Sequence, residues 1–245
     1  MSNKRNYRNR IYPTYTSLYT PDAVEISNHV LEANAKVFAS RIKGWLPMNK
    51  RSSCLDVACG AGGVLFALRT EGYKNLRGVD CSSQQVSVAE KICPAVEQGD
   101  AIDYLKRNQG TFDLITAFDI IEHFAKEEVF EFLDALYAAL KPGGRLIIQT
   151  PNAESPWFGA VRYGDFTHEV AFTPASLGRV LKAAGFFGYA AQECRPYFHG
   201  IKSGMRLILW SLIRTGIIVW NLIETGSRGS GVVTRVFIAK ADKSA

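Results

Sequence analysis

Five short apolar runs, "SCLDVA", "NLRGVD", "AVEQGD", "FDLITAFD" and "GRLIIQT", alternate with stretches of helical spacing, "GVLFALRTEG", "QQVSVAEKI", "IDYLKR" and "EEVFEFLDALYAAL". This alternation constrains the chain more than any other feature. Strands joined by helices pair in parallel, and the crossovers place helices on both faces of the sheet. Ligands of such sheets sit beyond the carboxyl ends of the strands, at the switch point beside the first strand. Directly after the first run the chain carries Gly60, Gly62 and Gly63. Glycines bunched there mark a left-handed turn or a ligand pressed against the main chain.

Two further strands, "FFGYAAQEC" and "GVVTRVFIAKA", follow near the end. They are separated by about forty residues, too many for an ordinary connection, so an insertion is expected at 196–230. At the other end, "TPDAVEISNHVLEANAKVFASRIKGWLP" predicts a helical cap over 21–47, with Thr20 capping, Pro21 at the first helical position, and Pro47 closing it after Trp45. The arm at 1–20 holds "NKRNYRNR" and is expected to be solvated. At 245 residues, 47% hydrophobic and without repeats, the remainder at 21–245 reads as one domain. The five cysteines show no C-x-x-C spacing, which implies reduced thiols and a cytoplasmic location. The N-terminus lacks the apolar segment of a secretory signal. A net charge of +6 permits a polyanionic partner without requiring one.

The glycine loop excludes two ligand classes. A phosphate-binding P-loop needs Gly-Lys-Ser/Thr, and here Val64 and Leu65 follow the glycines. The G-x-G-x-x-G dinucleotide pattern fails at its third position, Leu65. Asp56 on the strand before the loop suits a cationic ligand better than a pyrophosphate. Asp80 ends the second strand, where a carboxylate accepts both hydroxyls of a ribose. Asp100 ends the third, where it accepts from an adenine amino group beside the Ala101 amide. Each acid alone also suits a turn or a helix cap. Together on one rim they imply a ligand with a cationic portion, a ribose and an adenine.

The segments "LDVACGAGG", "GVD", "GDA", "FDLITAFDIIEHF" and "LKPGGRLIIQTPN" resemble the class I S-adenosylmethionine-dependent methyltransferases over about residues 50–190 and the final strand. The resemblance implies a Rossmann-like α/β fold with a seven-stranded, mostly parallel sheet, helices on both faces and the last strand antiparallel. It implies S-adenosylmethionine as cofactor. Asp56, Ala58, Gly60 and Gly62 would hold its methionine part, Asp80 the ribose, and Asp100 with Ala101 the adenine; Cys81 and Phe118 would complete the contacts. Ala58 departs from the family pattern, which has a glycine there.

For the transfer itself, "FDIIEH" places Asp119, Glu122 and His123 on the rim after the fourth strand, although Glu122 and His123 equally suit the start of a helix. Histidine is matched to proton transfer near neutral pH. Quinone-biosynthesis O-methyltransferases are similar here, and their cluster is associated with a divalent cation. The ligand set read from this sequence is incomplete, and no metal is expected. A second cluster, in the acceptor-loop insertion at 151–173, carries Arg162, Tyr163, Asp165, His168 and Glu169. Its "YGDFTHEVAFTP" stretch resembles methyltransferases of sugar and cell-surface polysaccharide pathways. His123 and His168 are the candidate catalytic residues. The base-amine signature D/N-P-P-Y/F and the Pro-Cys of pyrimidine C5 chemistry are missing after the fourth strand, so nucleic acid is not an expected partner.

The expected reaction is O-methylation of a small polar or sugar-containing acceptor, nucleotide- or lipid-linked. N-methylation of an amino sugar, a quinone-type O-methylation and a non-catalytic cofactor-binding partner are the alternatives. The insertion "MRLILWSLIRTGIIVWNLIETG" borders on a membrane span, but Arg214 at its centre and a sheet strand on either side argue against one. On a helical wheel Ile208, Leu209, Leu212, Val219, Trp220 and Ile223 oppose Arg206, Arg214 and Asn221. A core or lid helix, a homodimer contact through 204–224, and a peripheral contact with the inner face of a membrane all remain open.

Overall fold

The computed structural model describes residues 6–12, 15–19 and 28–245. Strand β1 (Ser53–Val57) runs through the middle of a seven-stranded sheet, paired in parallel with β2 (Asn75–Asp80) and β4 (Phe112–Phe118). The parallel pairing continues to β3 (Val96–Gln98) on one side and β5 (Leu140–Pro151) on the other. Strand β7 (Val236–Asp242) lies antiparallel between β5 and β6 (Phe187–Glu193), giving the order β3-β2-β1-β4-β5-β7-β6. This is the expected mostly parallel sheet with an antiparallel last strand.

All five residues of β1 are buried, because helices cover both faces and a central parallel strand meets no water. Short helices α1 (Asn6–Ile11) and α2 (Tyr15–Tyr19) precede α3 (Asn28–Arg41), α4 (Gly63–Thr70) and α5 (Ser83–Ala89). From this group Phe38, Ile42, Leu65 and Leu68 pack with Cys54, Leu114 and Ile147 of the sheet. On the opposite face lie α6 (Ala101–Arg107), α7 (Lys126–Ala139) and, beyond the short α8 (Phe158–Arg162), α9 (Pro174–Ala183). There Leu105, Phe132, Leu136 and Leu181 pack with Leu55, Val57, Ile115 and Ile148. The alternation of a pleated strand sorts neighbouring residues to opposite cores.

Two boundaries differ from expectation, and a third cannot be compared. The helix start at Thr20 and Pro21 lies outside the described residues. Helix α3 ends at Arg41 rather than near Trp45, because Gly44 turns the chain at φ +81. Strand β7 begins at Val236, since the preceding Val233 amide is taken by the Glu193 carboxylate instead of a sheet partner. The 196–230 insertion contains one long helix, α10 (Ile201–Thr225). Arg214 and Asn221 face the protein body beside Leu207, Trp210, Ile217 and Ile218, while most of its apolar residues face outward, so the core-helix reading is overturned. The physical reason is that Glu193, on the neighbouring strand, supplies a partner for Arg214 that no apolar residue could use.

Candidate functional site

The loop joining β1 to α4 is held open by its backbone. Ala58 sits at φ +55, a left-handed conformation that costs a side-chain-bearing residue about 1–2 kcal/mol. Gly60 follows at φ +51 and Gly62 at φ +84. Asp80, at the end of β2, braces the loop: its two carboxylate oxygens accept from the Gly60 and Ser82 amides, each at 2.9 Å. Burial raises the Asp80 carboxyl above its ordinary range, and those two amides oppose the rise. Asp119, at the end of β4, is likewise left-handed at φ +51. Non-glycine residues in this region concentrate at functional sites, and these two end adjacent strands of one rim.

Between those strand ends opens a cavity of about 470 Å³. Ala58, Gly60, Asp80 and Cys81 form one wall, with Ser82 and Gln85 from the turn into α5. Asp100 and Ala101 form the floor beside β3, while Asp119, Ile120, His123 and Phe124 close the far side. A Cβ added to Gly60 would meet no atom nearer than Gln85 Oε1 at 3.9 Å, so the glycine leaves room on the cavity side. Seven sequence candidates thus share the cavity: Ala58, Gly60, Asp80, Cys81, Asp100, Ala101 and His123.

Four candidates do not line it. Asp56 follows Cys54 on the pleat, so its carboxyl turns under α3 and α4 and accepts the Thr116 hydroxyl at 2.7 Å. Burial pushes that carboxyl up to about 7, with the Thr116 bond lowering it and Asp80 adding to the rise. Phe118 shares that face and packs against Phe38, ring centroids 5.6 Å apart. Gly62 is required by packing, since a Cβ there would come within 3.3 Å of the Ala89 main chain. His168 stands behind His123, its ring 4.8 Å away at an edge-to-face angle. Asp100 does line the cavity, but one of its oxygens also caps α6, accepting from Ile102 and Asp103.

Behind the far wall the 151–173 loop meets the turn Ile121–His123. Thr167 Oγ1 donates to Asp165 Oδ1 at 2.7 Å and lies 2.8 Å from His123 Nδ1. A threonine hydroxyl has one proton to give, so this order assigns the ring proton of His123 to Nδ1 and a lone pair to Nε2. Burial, then the neighbouring His168 ring, pull His123 down to about 4 and keep it neutral. Burial raises Asp165, but the Tyr15 and Thr167 hydrogen bonds outweigh it and hold the carboxyl below its ordinary value. Glu122 is 1% exposed and is raised well above the carboxylate range, first by burial and then by Asp119. Its Oε2 accepts from Thr150, and its carbonyl accepts the Glu169 and Val170 amides of the loop.

Glu122, His123 and His168 each offer one donor atom within 4.8 Å of the others. Glu122 Oε1 and His168 Nδ1 are buried without a hydrogen-bond partner. His168 therefore joins the cluster that Asp119, Glu122 and His123 left incomplete in the sequence, while Asp119 is instead held by Gln149 at 2.9 Å.

The described residues of the basic arm, 6–12 and 15–19, pack on the cavity rim instead of forming a solvated tail. The Arg8 guanidinium binds Glu128 at 2.9 Å and the His123 carbonyl at 2.7 Å, and Arg8, Tyr12 and Tyr15 line the cavity. Tyr7 donates to Glu169, and Tyr15 donates to Asp165 at 2.6 Å. Arg8 finds its partners on the rim, and Tyr7, Tyr12 and Tyr15 are half-buried there. The signal available in sequence was the interleaving of Tyr7, Tyr12, Tyr15 and Tyr19 with the arginines.

A family model described as a methyltransferase domain matches residues 30–189. A ubiquinone biosynthesis O-methyltransferase of Idiomarina loihiensis is 30% identical over 149 residues, covering 53% of this chain and 59% of the relative. The chain therefore matches well under two thirds of that relative's length. Among solved structures, a SAM-dependent methyltransferase of Archaeoglobus fulgidus superposes with a TM-score of 0.66 at 22% identity, over 94% of this chain and 100% of that one. Phosphoethanolamine N-methyltransferase 2 of Haemonchus contortus, in complex with phosphomonomethylethanolamine and S-adenosylhomocysteine, superposes with a TM-score of 0.65 at 17% identity. That match covers 100% of this chain and 61% of the other.

Proposed function

Because the chain belongs to the class I S-adenosylmethionine-dependent methyltransferase family, we propose that it transfers a methyl group to a hydroxyl of a small polar or sugar-containing acceptor. S-adenosylmethionine supplies, when bound, a methyl on a sulfonium that is already a good leaving group. The cavity wall fits this cofactor: Gly60 leaves space that a Cβ would fill, and Asp80 offers carboxylate oxygens for ribose hydroxyls. Asp100 and Ala101 would meet the adenine.

The observation that carries the hydroxyl acceptor is the ordered chain Asp165–Thr167–His123 ending on the cavity wall. Its order leaves His123 Nε2 free to take the acceptor proton, and the ionised Asp165 favours the imidazolium that results. An amine acceptor needs no such base. Ile120, Phe124 and Tyr12 give the cavity apolar lining beside His123. The five free thiols support a cytoplasmic setting.

The test follows labelled methyl from S-adenosylmethionine into matched hydroxyl and amine acceptors, sugar and phenolic, with wild type and His123→Gln. Hydroxyl methylation that falls about 10²–10⁴-fold in the variant, at unchanged S-adenosylhomocysteine affinity, is the expected result. Label in amines alone, at rates insensitive to His123, would move the reading to N-methylation.

One observation favours a second reading: the unpartnered Glu122 Oε1 and His168 Nδ1. With His123 they fit a divalent cation, which would polarise an acceptor oxygen and make His123 a ligand instead of a base. Elemental analysis of the purified protein, compared with Glu122→Gln, separates the two readings.

A further inference from the structure

A surface helix of a globular protein faces its apolar side inward, but most of the apolar residues of α10 are left uncovered. Three polar residues face the body beside Leu207, Trp210, Ile217 and Ile218: Arg214 binds Glu193 at 2.9 Å and the Gly231 carbonyl at 2.8 Å, Ser203 is buried, and Asn221 is half-buried and binds the Ser227 carbonyl. Its outer side is a stripe, spaced three and four residues apart around Gly216, of Ile201, Met205, Ile208, Leu212, Trp220 and Ile223. Each of these is at least 60% exposed. A continuous apolar stripe of this length is an interaction surface.

We infer that α10 lies in the plane of an anionic phospholipid surface, its stripe among the acyl chains and its ends at the headgroups. Charge selects this occupant. Lys202 and Arg206 near one end and Arg228 past the other are exposed, and Glu224 is the one acid between 195 and 228. Two copies meeting through the stripe would bring these cations, on chains of net charge +6, against each other. Anionic headgroups neutralise them instead. Trp220 suits the boundary between headgroup and hydrocarbon.

The helix is long and apolar enough to cross a bilayer, but it does not span one here. Strands β6 and β7 on either side of it are hydrogen-bonded neighbours, and Arg214 is tied to β6. The contact also orients the molecule. Trp220 of the stripe lines a cleft together with Glu154 and Pro156 of the acceptor loop, and Ser230, just past α10, binds Glu154, so that end of the stripe adjoins the loop. An amphiphilic acceptor held in the membrane would approach from this side.

The surface does not depend on the reaction proposed above, and its test leaves that reaction aside. The full chain is floated with phosphatidylcholine vesicles, with and without phosphatidylglycerol, beside Leu212→Ser/Ile223→Ser; both positions are exposed and remote from the cavity. Wild type is expected to float with the anionic vesicles and to be released by salt. The variant is expected to lose more than about tenfold of its bound fraction while keeping its circular dichroism and S-adenosylhomocysteine affinity. Wild type remaining at the bottom with anionic vesicles, or a variant floating equally well, would overturn the inference. So would a lipid-independent dimer that the double substitution dissociates.

Discussion

Asp56 was legible in the sequence as an acid beside the glycine loop, but its direction was not. Reading it as rim-facing ignored the pleat, which puts Asp56 and Thr116 on the α3 side of the sheet, one strand apart. Asp80 and Asp100 fared differently because strand ends escape that alternation. Each also serves its own turn, as the residue type allows. The Asp56 environment has a consequence for stability. Its folded value of about 7, set first by burial, lies above the unfolded value, so the native chain binds the extra proton between about pH 4 and 7. Stability from this group is therefore greatest below that window and falls as pH rises through it, by up to about 1.4 kcal/mol per pH unit. Urea midpoints measured from acidic to neutral pH should decline less steeply in Asp56→Asn than in wild type. Parallel slopes would mean that Asp56 titrates normally.

Among the elements, periodicity located every sheet strand. One element was misread and one was left open. The basic arm was judged by composition, and the wheel of α10 named its apolar face without saying what its other face meets; neither reveals which partners the fold brings near. Arg8 finds Glu128 and the His123 carbonyl, which are more than a hundred residues away in sequence. Arg214 finds Glu193. The arm's position predicts a binding role. Arg8→Ala removes bonds that hold α1 on the cavity rim and should weaken S-adenosylhomocysteine binding by about 3–10-fold. Unchanged affinity in a calorimetric titration would show that the arm packs there without contributing.

Across the whole molecule, the alternation of strands and helices was enough for the sheet and for the end of it that carries the cavity. It could not supply the pairing of distant loops. The Asp165–Thr167–His123 chain joins the fourth strand's turn to a segment over forty residues later, and Thr167 offered no signal of its own. The far wall of the cavity therefore had to be read from the fold, while most residues of the proposed cofactor side were visible in the motifs. The account stands on that cofactor side, and Asp80 is where it is most exposed to test. Calorimetric titration of S-adenosylhomocysteine into wild type and Asp80→Ala, with melting curves to confirm that both are folded, addresses it directly. The account predicts binding by wild type and a loss of roughly 2–4 kcal/mol in the variant, as hydrogen bonds to a charged group disappear. Equal affinity in the two proteins, or no binding by either, would contradict it.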